Sequence, residues 1–187
     1  MRLTIQNMVC DRCIQSVESI FKESGVPVEN LDLGFVEIGK SLNGNELDAI
    51  RKKLEDRGFA LVQDRESELV ERIKVALIDY VDHLENSDKP MKLSVFVTSK
   101  IHYNYSYLSK IYSDKTGSTV ENHLIRLKIE RVKELLDYRN VTLSEIAWQL
   151  KYSSVQYLSN QFKKVTGMTV TEYLNERRPG RQAYDKI

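Results

Sequence analysis

Cys10 and Cys13 are the only cysteines in the 187-residue sequence, and they stand three residues apart. Two thiols at this spacing suit a soft d¹⁰ ion such as Cu(I), held between two thiolates. The same spacing also suits a redox-active dithiol. A tetrahedral zinc site needs four ligands, and the three histidines lie far along the chain, at His83, His102 and His123. Cys13 falls at the start of a predicted helix, whose dipole favours thiolate. A third reading makes the loop a relict on a domain kept for protein contact.

A second group of residues suits a different chemistry. Between Ser154 and Lys164, with the apolar positions Leu158 and Phe162 turned inward, the outer face of a predicted helix carries Ser154, Gln156, Tyr157, Asn160, Gln161, Lys163 and Lys164. Gln and Asn can pair bidentately with adenine, and Lys favours guanine or phosphate. Gln156 and Asn160 are the expected base readers, Lys163 and Lys164 the expected phosphate clamps. The set has a counterpart 50 residues earlier, at Asn104, Ser106, Tyr107, Ser109 and Lys110, where Lys110 replaces Asn160 and Asp114 replaces Lys164.

That counterpart belongs to an internal repeat. Residues 93–124 and 143–174 align without a gap and share ten identities, among them Tyr107/Tyr157, Leu108/Leu158, Thr116/Thr166 and Gly117/Gly167. A repeat of this size is one supersecondary unit used twice. Each copy is expected to be a helix, a short turn, a second helix and then a glycine before the next helix. Two such units suit two successive turns of DNA major groove. Charge supports this. Residues 1–64 carry net −3, residues 65–92 net −2 and residues 93–187 net +6, the asymmetry expected if only the last part meets a polyanion.

The elements that must position these residues follow from periodicity. Residues 1–64 predict the order β-α-β-β-α-β, an α+β ferredoxin-like domain, with a core of Leu3, Ile5, Val17, Ile20, Leu47, Ile50 and Leu54. Residues 65–89 predict a linker helix (66–84) and a hinge over Glu85–Pro90. Residues 90–187 predict an all-α double helix-turn-helix domain, with helices near 94–101, 105–116, 120–137, 143–150, 154–165 and 170–176. The 120–137 helix would set the spacing of the two units, and residues 90–187 alone are expected to bind duplex DNA.

Two stretches resemble known families. "LSEIAWQLKYSSVQYLSNQFKKVTGMTVTEY", residues 143–173, resembles the second helix-turn-helix of AraC-family transcription regulators, and "IERVKELL", residues 129–136, resembles their connecting helix. One departure is Lys151, where the family usually has glycine. "NMVCDRC", residues 7–13, resembles the metal loop of heavy-metal-associated domains, with Met8, Cys10 and Cys13 in register and Asn7 in place of the usual glycine. Gly58 and Phe59 before the last strand also fit.

These resemblances imply a regulator that binds double-stranded DNA, with RNA polymerase as a further candidate partner, and that responds to a soft metal through Cys10 and Cys13. The alternatives are a non-sensing interaction module and a thiol-redox response. Four thiolates sharing one metal would make a homodimer. No nucleophile–base set, paired carboxylates or phosphate loop points to an enzyme. No apolar run reaches the ~18 residues of a membrane span and no signal peptide is visible, so a cytoplasmic protein without membrane partners is expected.

Overall fold

The computed structural model describes residues 1–62, 64–137 and 141–176. The chain opens with β1 (Arg2–Gln6), α1 (Asp11–Glu23), β2 (Val28–Asp32), β3 (Phe35–Ile38), α2 (Gly44–Glu55) and β4 (Ala60–Leu61). The strands form one antiparallel sheet in the order β2-β3-β1-β4. α1 and α2 bury one stripe each, at Val17, Ile20 and Phe21 and at Ile50 and Leu54. These close a core with Ile5, Met8, Val36, Ile38 and Phe59. Leu47, expected in that core, is only half-buried, because α2 turns just its C-terminal half inward. Met8 is 2% exposed and packs into this core.

The rest is helical: α3 (Arg65–Asn86), α4 (Leu93–Ile101), α5 (Tyr105–Thr116), α6 (Val120–Asp137), α7 (Leu143–Gln149), α8 (Val155–Thr166) and α9 (Val170–Asn175). The periodicity reading is matched within two residues at most ends. α3 is more than a connector. Leu69, Val70, Ile73, Ala76, Leu77 and Val81 share one apolar core with Leu108, Tyr112, Leu127, Val132, Ile146, Leu158 and Phe162. Glu85, read as the first hinge residue, is still helical, and its carboxylate accepts two bonds from Arg131 of α6, at 2.6 and 2.8 Å. A fragment starting at residue 90 would therefore strip a wall from the core. At about 25 cal/mol per Å² of apolar surface, several such side chains are worth many times a domain's typical margin per residue. Residues 177–187, the end of the expected 90–187 domain, lie outside the described residues.

The repeat is real in space, with one difference. Asn104 and Ser154 cap α5 and α8, and Gly117 and Gly167 end them in the left-handed conformation. Tyr112 and His123 pack edge to face at 5.8 Å, and their counterparts Phe162 and Tyr173 do so at 5.5 Å. The turns differ. In the second unit the left-handed residue is Lys151, at φ 53°, and in the first it is His102, at φ 62°. His102 aligns with Tyr152, and Lys151 with Ile101. A β-branched, buried isoleucine is poorly suited to positive φ, so α4 runs on through Ile101 and the turn falls one residue later.

Candidate nucleic-acid interface

α8 begins where the Ser154 hydroxyl accepts the Tyr157 backbone N–H at 3.0 Å, the usual work of a Ser N-cap. Leu158 and Phe162 are fully buried and seat the helix on the core. That leaves Gln156, Tyr157, Asn160, Lys163 and Lys164 exposed on one side. Gln156 Nε2 donates to Asn160 Oδ1 at 3.4 Å. The structure thus brings the two expected base readers and the two expected clamps onto one helix face. Ser154 also stands there, but its oxygen is engaged by the cap.

In the first unit, the Asn104 side chain accepts the Ser106 N–H at 2.8 Å as the cap of α5. Ser106, Tyr107 and Lys110 are exposed, and Ser109 is half-buried. Tyr107 stacks on Tyr103 with ring centres 5.7 Å apart. Arg65 of α3 donates to the Tyr103 hydroxyl. In the second unit Tyr157 instead meets Tyr152 at 6.2 Å. Lys128 of α6 places its ammonium 3.7 Å over the Tyr152 ring, and burial draws that ammonium's pKa down to about 8.

One contribution was missed at the sequence level. α6 lays Asn122, Ile125 and Arg126 beside Tyr157, Asn160, Gln161 and Lys164, forming a cleft of about 590 Å³ along the flank of α8. Among the described residues, Lys110, Arg126, Lys163 and Lys164 take part in no ion pair. Their charges are therefore available to a polyanion. Arg126 carries no repeat or motif signal, and only the packing of α6 against α8 puts it there.

The cysteine loop is built separately. Asn7 sits at φ 70°, the region that glycine would supply, and asparagine tolerates it better than most residues. Its amide donates to the Gly58 carbonyl at 2.9 Å, tying the loop to the segment before β4. Cys10 is the N-cap of α1 and Cys13 lies in its first turn. Their sulfurs are 3.6 Å apart, with Cys10 exposed and Cys13 half-buried and both as free thiols. Burial pushes the Cys13 thiol up. Among the described residues no group of three or more His, Cys, Asp or Glu could hold a metal. The pair itself suits a two-coordinate soft ion.

The helix-turn-helix domain family matches residues 97–176. "Uncharacterized HTH-type transcriptional regulator YobQ" of Bacillus subtilis (strain 168) is 25% identical over 126 residues, covering 67% of this chain and 44% of its own length. "Uncharacterized transcriptional regulatory protein YesN" of the same organism is 30% identical over 94 residues, covering 49% of this chain and 25% of its own. The chain spans less than half the length of these curated relatives. Among solved structures, the C-terminal domain of AraT, a response regulator from Geobacillus stearothermophilus, superposes with a TM-score of 0.50 at 22% identity, over 63% of this chain and 92% of that one; this likeness speaks to the fold. No described helix is long and apolar enough to cross a membrane. Residues 97–176 thus match the helix-turn-helix domain family, on two units whose second helices are capped in the same way and share one core.

Proposed function

We propose that the protein is a transcription regulator that reads double-stranded DNA in a sequence-specific way through α5 and α8. The observation that carries this reading is the pair of helices with exposed polar and cationic faces, held on one core by α6. Each enters the major groove with its N-terminal half toward the bases. Gln156 and Asn160 read base edges, while Lys163, Lys164 and Lys110 hold phosphates. Asp114, where the second unit has Lys164, makes the first unit the weaker phosphate binder. RNA polymerase is the further partner, and no step calls for a catalytic role.

The N-terminal half is read as a ferredoxin-like, heavy-metal-associated module. Supporting this are its β-α-β-β-α-β order and its antiparallel β2-β3-β1-β4 sheet. Cys10 and Cys13 would hold a soft ion such as Cu(I), whose chemistry in the protein is that of a thiolate-bound ligand. The 3.6 Å approach of the two sulfurs favours this over a module without a site, and the same approach suits a dithiol redox response.

The test of DNA reading is anisotropy with the full chain on random and selected duplexes of roughly two helical turns, across a salt series. Affinity should fall steeply with salt and differ between sequences. A flat salt response, or a preference for single strands, would reject the reading. For the cysteine loop, Cys10→Ser/Cys13→Ser should abolish tight Cu(I) binding while leaving the circular dichroism unchanged. Regulation requires that metal and DNA alter each other's affinity equally.

A further inference from the structure

The two halves meet along a narrow seam, where β1 and the β2–β3 turn rest on α3. Gly34, at the tip of that turn, takes φ +82°, and a Cβ there would come within 3.1 Å of the Val75 side chain. The turn is thus pressed onto α3 at a position where glycine meets both demands. Beside this contact lies a cleft of about 350 Å³, lined from four directions. Arg2 comes from the sheet, Arg72 and Val75 from α3, Lys100 and Ile101 from the end of α4, and His102 from the turn of the first helix-turn-helix. Its size falls at the low end of small-molecule sites.

The charges in the cleft are not equivalent. Lys100 is paired with Asp79 at 2.9 Å. Arg2 lies over the Phe35 ring at 3.8 Å and reaches Glu37 only at 3.8 Å. Asp32, the carboxylate in the lining, accepts the Leu33 N–H at 2.7 Å. Arg72 is half-buried, and its described hydrogen bond is a long one, 3.4 Å to the Ile101 carbonyl. A guanidinium has five donors in a fixed fork, so most of this one's capacity is unengaged by described residues. The same lining holds Val75 and Leu33, both partly exposed, as an apolar surface. A planar guanidinium beside an apolar wall matches a carboxylate joined to a small apolar body.

We propose that this cleft is the binding site of a small organic carboxylate that acts as an effector. The carboxylate pairs with Arg72, with Arg2 as the second cation, and the body packs on Val75 and Leu33. A ligand so placed touches the sheet half, α3 and the turn residue His102 together. Ile101 and His102 set the angle between α4 and α5, so a ligand that binds one arrangement better shifts the recognition helix. The effector role rests on the DNA reading proposed above; the binding site itself does not.

The probe is sodium benzoate, with benzamide as its neutral isostere and inorganic phosphate as the anion without a body. They are titrated into the full chain and followed by ¹⁵N–¹H spectra. Benzoate should shift the amides of Gly34, Val75 and His102 saturably, and benzamide and phosphate should each bind about tenfold more weakly or not at all. Arg72→Gln should weaken benzoate by about tenfold. Arg72→Lys keeps the charge but loses the fork, and should fall between; its spectrum also reports that the fold is kept. Equal shifts with benzamide, shifts unchanged in both Arg72 variants, or none at these amides would overturn the site. Benzoate should also change the affinity of the full chain for duplex DNA by severalfold. Binding without that change would overturn the effector role. Absence of DNA binding by the ligand-free chain would count against the DNA reading and leave the spectral result standing.

Discussion

Gln156 Nε2 stands 3.4 Å from Asn160 Oδ1, one helical turn away on the exposed face of α8. A bond of that length between exposed side chains is weak, so DNA can open it cheaply. While it holds, it orients both amides toward the same side. Gln156→Ala and Asn160→Ala should each cost about 1–3 kcal/mol at one or two base pairs. Because each side chain positions the other, the double variant should lose less than the sum of the two. Selection of bound sequences from a randomised duplex pool checks this. An Asn160→Ala variant that lost affinity evenly across all sequences would remove the residue from base reading.

The cations around α8 should behave differently. Lys163→Ala should weaken binding to all duplexes and lower the slope of log affinity against log salt by about 0.9. Arg126→Ala should do the same, although the residue lies on α6, since it shares the cleft with Asn160 and Lys164. The measurement is anisotropy over a range of salt concentrations. An unchanged slope for Arg126→Ala would confine the phosphate contacts to the recognition helices.

The turn of the second unit gives a stability test. Lys151 has positive φ and sets its ammonium 4.5 Å over the exposed Trp148 ring. Lys151→Gly relieves a left-handed cost of about 1–2 kcal/mol. It also frees the unfolded chain by about 0.4–1 kcal/mol and loses a ring contact of about 0.5–1 kcal/mol. The net change in urea unfolding should stay within about 0.5 kcal/mol. Lys151→Ile keeps the strain, adds a β-branch and loses the contact, and should destabilise by about 1–2 kcal/mol. An isoleucine variant as stable as the parent would contradict a left-handed turn at this position.

His123 should make stability depend on pH. Its ring is buried and shares a 2.8 Å hydrogen bond with the Tyr112 hydroxyl. Burial, aided by the nearby charges of Lys74 and Arg126, draws its pKa down to about 4. The unfolded chain binds a proton near pH 6.5, while the folded chain does not until near 4. Between those values the unfolded state carries the extra proton, so stability falls as pH falls, at no more than about 1.4 kcal/mol per unit. The second unit has Phe162 and Tyr173 in these places, so Tyr112→Phe/His123→Tyr should keep the packing and remove this component. Urea midpoints of both proteins from pH 4 to 7 provide the check. Parallel curves would show that the slope comes from other groups.

Much of this architecture could be read from residue order. The 50-residue repeat placed both helix-turn-helix units, because capping residues, buried leucines and the closing glycines act within one or two turns of the chain. Asn104 with Gly117 and Ser154 with Gly167 bound their helices by local backbone chemistry alone. The exposed face of α8 was legible for the same reason, since 3.6-residue periodicity sorts Leu158 and Phe162 from Gln156 and Asn160. The C-x-x-C loop was plain from spacing. What the tertiary structure decided depends on contacts between distant segments. α3 proved to be a wall of the helical core, because its apolar stripe meets α4, α5, α6 and α7. Burial raised the Cys13 thiol, since desolvation depends on what packs over the sulfur. The shifted turn at His102 came from the need to keep Ile101 helical and buried. Arg126 joined the interface, and Arg72 the seam, only through the packing of helices, and no local pattern in the sequence encodes a neighbour of that kind.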